Sequence, residues 1–152
     1  MPFKRILCAV DFSPDSVKAF GVAGEMARLY SGALHVFHVI EAQPVIPAQV
    51  EIRIIEEANA AMEKLVAPAQ SSLDGLPLTT EVTNGLASVE IIERARQWRA
   101  DLVILGSKGI TSLEEIVVGS TAENVLNEAP CSVLVVRPDD KRRATEPNSD
   151  KH

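Results

Sequence analysis

The stretch that decides the fold is "FKRILCAVDFSPDSVKAF", residues 3–20. It begins with a short apolar run, turns polar at Asp11, and places Ser13 and Pro14 ahead of apolar residues at helical spacing. Serine is a favoured helix N-cap and proline is favoured at the first helical position, so the stretch predicts a strand over residues 3–10 followed at once by a helix. A nearly continuous apolar strand is typical of a parallel sheet covered by helices on both faces.

The same alternation continues along the chain. Apolar runs rich in β-branched residues predict four further strands, and helical periodicity predicts helices between them. The predicted strands cover residues 33–40, 78–83, 101–105 and 132–136, and the predicted helices cover 48–74, about 87–99 and the segment after Gly119. Alternating strands and helices indicate one α/β domain, residues 1–138, built from βαβ units. The runs "ILCAV", "LVIL" and "SVLVV" predict strands that are central or well protected.

Composition narrows the function. The chain of 152 residues carries a formal charge of −6, so it lacks the basic footprint expected of a nucleic-acid-binding protein. No apolar run reaches the roughly 18 residues of a membrane helix, and the opening residues are too short a run for a signal peptide. Cys8 and Cys131 lie in apolar runs, which favours reduced thiols and a cytoplasmic location. Residues 139–152 are polar and without period, and they predict a disordered tail.

Open parallel sheets bind ligands outside the carboxyl ends of their strands, so the segments after the strands are the places to search. Only "DFSPDS", after the first strand, and "GSKGITS", after the fourth, combine small residues, hydroxyls and an immediate helix start. His35 and His38 share the second strand without another metal-ligand side chain at a suitable spacing, and we expect packing and hydrogen bonding from them rather than metal binding.

The glycine-rich stretch "LGSKGITSLEEIVVGST", residues 105–121, admits two interpretations. Ser120 and Glu123 fit a helix capping box, and Gly109 could supply a turn. Alternatively, backbone amides next to glycines and at a helix N-terminus form a cradle for phosphate. Neither a P-loop nor a dinucleotide glycine motif is present, and the local pattern leaves both interpretations open.

The spacing Gly106-x2-Gly109-x9-Gly119-Ser120 resembles the ATP-binding signature of the universal stress protein family. Four other segments resemble their counterparts in that family and come in the same order: "AVDFSPDS", "HVFHVIE", "ADLVILGSKG" and "APCSVLVVR". The resemblance covers roughly residues 3–137.

The resemblance implies an open five-stranded parallel sheet of order 3-2-1-4-5, a Rossmann-like fold of the adenine nucleotide alpha hydrolase-like type. It implies an ATP site, with ADP or AMP as alternatives and Mg²⁺ or Mn²⁺ bound through the phosphates. The implied nucleoside contacts are Ala9, Val10, Asp11 and Val39, and the implied phosphate contacts are Gly106, Lys108, Gly109, Gly119, Ser120 and Thr121. Lys108 stands where the family often has arginine or histidine, and Glu114 and Glu115 stand where many relatives carry basic residues.

Three functions follow as alternatives. The first is a nucleotide-responsive regulatory protein of the stress response, and the second is a slow ATPase or a protein that phosphorylates itself at Ser120 or Thr121. The third is a nucleotide-independent interaction module with a structural glycine loop. Family members commonly dimerise through the fifth strand, which predicts a homodimer through residues 132–136, because an apolar edge strand invites pairing with another chain.

Overall fold

The computed structural model describes residues 3–73, 75–108 and 118–138. Strands and helices alternate along the described part of the chain. The strands are β1 (Arg5–Ala9), β2 (Ala33–Glu41), β3 (Leu78–Gly85), β4 (Leu102–Gly106) and β5 (Ser132–Val136). The helices are α1 (Pro14–Tyr30), α2 (Ala48–Ser72), α3 (Ala87–Gln97) and α4 (Ser120–Glu128). The predicted elements are all present, and their ends differ from the predicted ones by no more than two residues.

The strands form one parallel sheet in the order β3-β2-β1-β4-β5, which confirms the predicted topology. Strand β1 pairs with β2 from Arg5 opposite Ala33, and with β4 from Ile6 opposite Leu102. The chain therefore leaves β1 toward one edge of the sheet and returns to its other side at β4. This reversal creates a crevice at the carboxyl ends of β1 and β4, where such sheets bind ligands.

Two apolar cores cover the two faces of the sheet. Alternate residues of β1 point to opposite faces: Ile6 and Cys8 pack with α1 and α2, and Leu7 and Ala9 pack with α3 and α4. This two-sided burial explains the continuous apolar character of "ILCAV" and of "LVIL" in β4. In the described part of the chain, no helix combines the length and the apolarity that crossing a bilayer requires.

Strand β5 corrects one prediction. It forms an edge of the sheet, paired through β4 alone among the described strands, and its residues alternate between exposed and partly buried until Val136. Leu134 is exposed over 36% of its surface. The expectation that "SVLVV" is central or well protected is therefore wrong, because an apolar run does not reveal whether a second strand covers its outer edge.

Helix α1 begins as predicted. The Ser13 hydroxyl accepts a hydrogen bond from the Ser16 amide, and Pro14 occupies the first helical position. In α2, Pro68 lies inside the helix, which continues to Ser72. The predicted tail, residues 139–152, lies outside the described residues.

Candidate functional site

A cleft of about 730 Å³ opens at the carboxyl ends of the central strands. Its walls come from the carboxyl ends of β1, β2 and β4, from the segments after β1 and β4, from one face of α2, and from the first turns of α1, α3 and α4. The sequence pointed to the segments after β1 and β4. The walls from β2 and the helices complete the enclosure.

Nine of the ten predicted site residues line this one cleft. They are Ala9, Val10, Asp11, Val39, Gly106, Lys108, Gly119, Ser120 and Thr121. The tenth, Gly109, lies outside the described residues, as do Glu114 and Glu115. Residues far apart in the chain thus converge on one space, which is a geometric requirement for a shared ligand.

The segment after β1 turns sharply into α1. Asp11 Oδ1 accepts a hydrogen bond from the Ser13 amide at 3.0 Å, and the Asp11 amide donates to the Ser16 hydroxyl at 3.2 Å. Between them, Phe12 has a φ of 67°, a left-handed conformation that is unfavourable for a bulky side chain. Such strain persists only where its surroundings hold it, and it is common at binding sites.

The N-termini of α1 and α4 differ in how they are capped. Helix α1 has a serine cap, and Asp15, in its first turn, is buried. Helix α4 has Gly119 as its N-cap and no side-chain cap hydrogen bond within the described residues. Ser120 is the first helical residue and Gly119 is the N-cap, so the capping-box interpretation of Ser120 does not hold. Among the described residues, no side chain caps the first amides of α4, which lie at the cleft.

Gly106 and Gly119 are small for steric reasons. Neither has a positive φ, but a Cβ at Gly106 would lie 2.9 Å from Asp15 Cβ and 3.0 Å from the Asp15 carbonyl carbon. A Cβ at Gly119 would lie 3.3 Å from the Lys108 Cα. The Gly119 amide donates to the Ser107 carbonyl at 2.6 Å, which closes the base of the loop between β4 and α4.

The opposite end of the cleft is apolar. The sequence identified Val39 in this region but missed Phe37, Ile54, Ala58, Ala61, Ala87 and Ile91. The α2 residues repeat at helical spacing in the sequence, but only the packing of α2 over the sheet shows that this face borders the cleft. Apolar lining of this kind suits an aromatic ring.

His38 is a polar residue of the cleft whose position the sequence did not predict. Its Nδ1 donates a hydrogen bond to the Val10 carbonyl at 2.7 Å, and its ring centroid lies 4.5 Å from that of Phe12. This bond ties β2 to the turn after β1 and fixes which ring nitrogen carries hydrogen in the neutral imidazole. The predicted hydrogen-bonding role of His38 is confirmed.

His35 belongs to a separate polar network on the α3 face of the sheet. Its Nε2 donates to Glu81 at 2.9 Å, and its Nδ1 accepts from the Thr79 hydroxyl at 2.6 Å. Arg94 donates to the other oxygen of Glu81 at 2.6 Å. These residues do not line the cleft, so the hydroxyl, imidazole and carboxylate chain satisfies polar groups between β2, β3 and α3.

The two cysteines are free. Complete burial raises the pKa of the Cys8 thiol to about 12. Cys131 is half-buried, and desolvation followed by the charge of Asp101 raises the pKa of its thiol. Raised thiol pKa values keep both side chains protonated near neutral pH, which is characteristic of packing residues rather than nucleophiles.

The order of the strands and the cleft at the reversal point define a doubly wound α/β protein with a candidate ligand-binding cleft. The model of the universal stress protein family matches residues 2–137. The chain belongs to this family.

Individual members of the family are similar to this chain over most of its length. A universal stress protein of Methanocaldococcus jannaschii, MJ0531, is 32% identical over 142 residues, spanning 89% of this chain and 82% of the relative. The structure of the universal stress protein UspA from Lactobacillus plantarum superposes with a TM-score of 0.76 at 26% identity, covering 90% of this chain and 99% of its own.

Two more distant structures contain nucleotides. A universal stress protein from Archaeoglobus fulgidus in complex with dAMP has a TM-score of 0.68 at 21% identity and covers 90% of this chain and 100% of its own. A second structure, of a universal stress protein in complex with cAMP, has a TM-score of 0.65 at 18% identity and covers 90% of this chain and 98% of its own. At these identities the likeness concerns the fold.

Proposed function

We propose that this protein is a nucleotide-responsive regulatory protein of the stress response whose cleft binds an adenine nucleotide, with ATP as the expected ligand and ADP or AMP as alternatives. The observation that carries the proposal is the pairing, in one cleft, of apolar lining with the N-terminus of α4, which no side chain caps in the described part of the protein. An adenine ring fits the first and phosphates fit the second. The complexes of relatives with dAMP and cAMP support the same class of ligand.

We assign different lining residues to the base, the ribose and the phosphates of the nucleotide. We propose that Ala9, Val10 and Val39 border the base and that Asp11 accepts hydrogen bonds from ribose or base. The phosphates contact the open amides of α4 and the side chains around them. The proposed phosphate contacts are Gly106, Lys108, Gly109, Gly119, Ser120 and Thr121.

The charges of the cleft favour a divalent cation on the phosphates. Its described lining contains three carboxylates, those of Asp11, Glu41 and Glu57, against the single ammonium of Lys108. A triphosphate adds several negative charges to this already acidic cleft. We therefore expect ATP to bind with Mg²⁺ or Mn²⁺ held through its phosphates, since the cation offsets the repulsion.

Binding rather than rapid turnover is the proposed function. Within the described lining no arginine faces the cleft and no serine or threonine hydroxyl is hydrogen-bonded to an imidazole, so the parts used for fast phosphoryl transfer are missing there. Ser120 and Thr121 do line the cleft, and slow transfer of a phosphoryl group to one of them is the second candidate. Intact mass after incubation with Mg-ATP tests it, since each transfer adds one phosphate.

Thermal unfolding with and without millimolar Mg-ATP tests the proposed function. Binding to the folded state alone stabilises it by about 2.7 kcal/mol at a ligand concentration 100 times Kd, so the midpoint must rise. Gly119→Asp places a carboxylate where phosphate is proposed to bind and should abolish the rise. Gly21→Asp is the matched control, because Gly21 lies in α1 with no heavy atom within 4 Å of its ideal Cβ. Both variants are first checked for folding without ligand.

The alternative is a nucleotide-independent homodimeric interaction module. It predicts no ligand-dependent shift in either the original protein or the variants, together with a stable dimer. We propose a homodimer through residues 132–136 in either case, supported by the exposed edge of β5. A cytoplasmic location is supported by the two free cysteines.

A further inference from the structure

Ser107 follows β4 directly and contacts three other elements. Its amide donates to the Val136 carbonyl at the end of β5, at 3.0 Å, and its carbonyl accepts from the amide of Gly119 at 2.6 Å. Its hydroxyl donates to Oδ2 of Asp15, in the first turn of α1, at 3.2 Å. One residue thereby joins the ends of two parallel strands to the starts of two helices.

The hydroxyl and carboxylate of this junction are buried. Ser107 is 4% exposed and Asp15 is 7% exposed. Burying polar groups is costly without a partner, so their mutual hydrogen bond restricts both side chains. Gly106 allows the approach, because a side chain there would collide with Asp15. The position of Ser107 relative to α1 is therefore fixed by packing as well as by hydrogen bonding.

The neighbours of Ser107 form the proposed anion end of the cleft. Lys108 comes next in the chain, and Gly119, held by the Ser107 carbonyl, begins α4. A shift of Ser107 would move both, and contacts to phosphate depend on their placement. A buried carboxylate near this end of the cleft is unfavourable for the binding of an anion. The hydrogen bond from the Ser107 hydroxyl stabilises the Asp15 carboxylate in this position.

We propose that Ser107 is the positioning residue of the anion end, and that its hydrogen bond to Asp15 holds Lys108 and the start of α4 in place for a nucleotide phosphate. The inference rests on the proposed function, since it concerns the phosphate part of the same ligand. Ser107 itself borders the cleft, but its hydroxyl donates to Asp15, so we place its effect in the residues it positions. Asp15 does not line the cleft, so the Asp15 variants separate this role from a direct contact of Ser107 with the ligand. Loss of Ser107 should therefore affect ligands with phosphate more than ligands without it.

The test compares the dissociation constants of adenosine and AMP by isothermal titration calorimetry. The ratio of the two constants measures what the phosphate adds to binding. Removing one hydrogen bond of this kind in Ser107→Ala is expected to lower the ratio about fivefold. Asp15→Ala breaks the same bond and should also lower the ratio, but by less, because it removes a charge that is unfavourable for an anion. Ser107→Thr keeps the hydroxyl and should retain the ratio. Asp15→Asn keeps an acceptor oxygen and removes the charge, so it should not lower the ratio.

Ser88→Ala is the matched control. Ser88 is another buried serine, 7% exposed, and it lies in α3 outside the described lining of the cleft. Its replacement should leave the ratio unchanged. Thermal unfolding of each variant identifies any that fails to fold, and Asp15→Ala decides the matter if Ser107→Ala is one of these.

The outcomes separate this inference from the function beneath it. A wild-type preference for AMP that persists in both alanine variants overturns the positioning role and leaves the proposed function standing. If the wild type binds adenosine and AMP with equal affinity, the proposed anion end does not bind phosphate, and the positioning role of Ser107 is excluded with it. If the wild type binds neither ligand, the nucleotide function fails together with the inference.

Discussion

At the scale of single residues, the cleft depends on close approaches that a larger side chain would prevent. The clearest is at Gly106, where the end of β4 lies against the first turn of α1. The sequence identified this glycine through its spacing with Gly109 and Gly119 and assigned it to phosphate. The structure adds a steric reason, contact with Asp15, which no local pattern could reveal because the two residues lie far apart in the chain.

Gly106→Ala should destabilise the fold. The new Cβ would lie 2.9 Å from Asp15 Cβ and close to its backbone, and overpacking of this kind costs about 1–3 kcal/mol. Gly21 lies in α1, and no heavy atom lies within 4 Å of its ideal Cβ. Gly21→Ala should therefore stabilise the folded protein by about 0.5–1 kcal/mol. Urea unfolding of the two variants checks this. Equal stability of Gly106→Ala and wild type would contradict this, because it would show that α1 shifts to accommodate the new Cβ without an energetic cost.

At the scale of elements, the two helix starts at the cleft are capped differently in the described part of the chain. Helix α1 satisfies its own first turn through Ser13, whereas the first turn of α4 has no side-chain cap among the described residues. The sequence predicted the cap of α1 correctly, since serine before proline is a strong helix-start signal. It left α4 ambiguous, because Ser120 satisfies both a capping pattern and a phosphate pattern. The helix boundary at Ser120 excludes the capping pattern, and phosphate binding remains our proposal.

Ser13→Ala should weaken α1 and the turn that carries Asp11. The change leaves the Ser16 amide without the Ser13 hydroxyl as acceptor, and loss of an N-cap costs about 1 kcal/mol. Ser71→Ala, at an exposed serine near the end of α2, should change stability by less than about 0.5 kcal/mol. The free energies of unfolding in urea provide the comparison. Similar small losses in both variants would mean that water replaces the Ser13 cap at no cost.

At the scale of the whole molecule, the strand positions followed from the sequence because short apolar runs are bounded by polar turns. The strand order came from the family resemblance. Exposure of β5 was not predictable in the same way, since an apolar run at an edge looks like one in the centre. The contribution of Ile54 and Ala61 to the cleft also escaped, because it depends on how α2 lies over the sheet.

The exposed edge of β5 leads to a prediction about assembly. The wild-type protein should have the mass of a dimer in light scattering at micromolar concentration, and Leu134→Glu should shift it toward the monomer, because a charge on an edge strand opposes pairing. Leu29→Glu is the control, as Leu29 is 72% exposed on α1 outside the strand. A monomeric wild type, or a dimer unaffected by Leu134→Glu, would contradict pairing through β5.

During synthesis, the strands and helices that line the two sides of the cleft are made at different times. Strands β1 and β2 are synthesised before β4, the other neighbour of β1, and before the start of α4. A ligand that needs both sides of the cleft cannot stabilise a chain that stops before α4. Occupancy of the cleft would therefore distinguish a chain that includes α4 from one released before it.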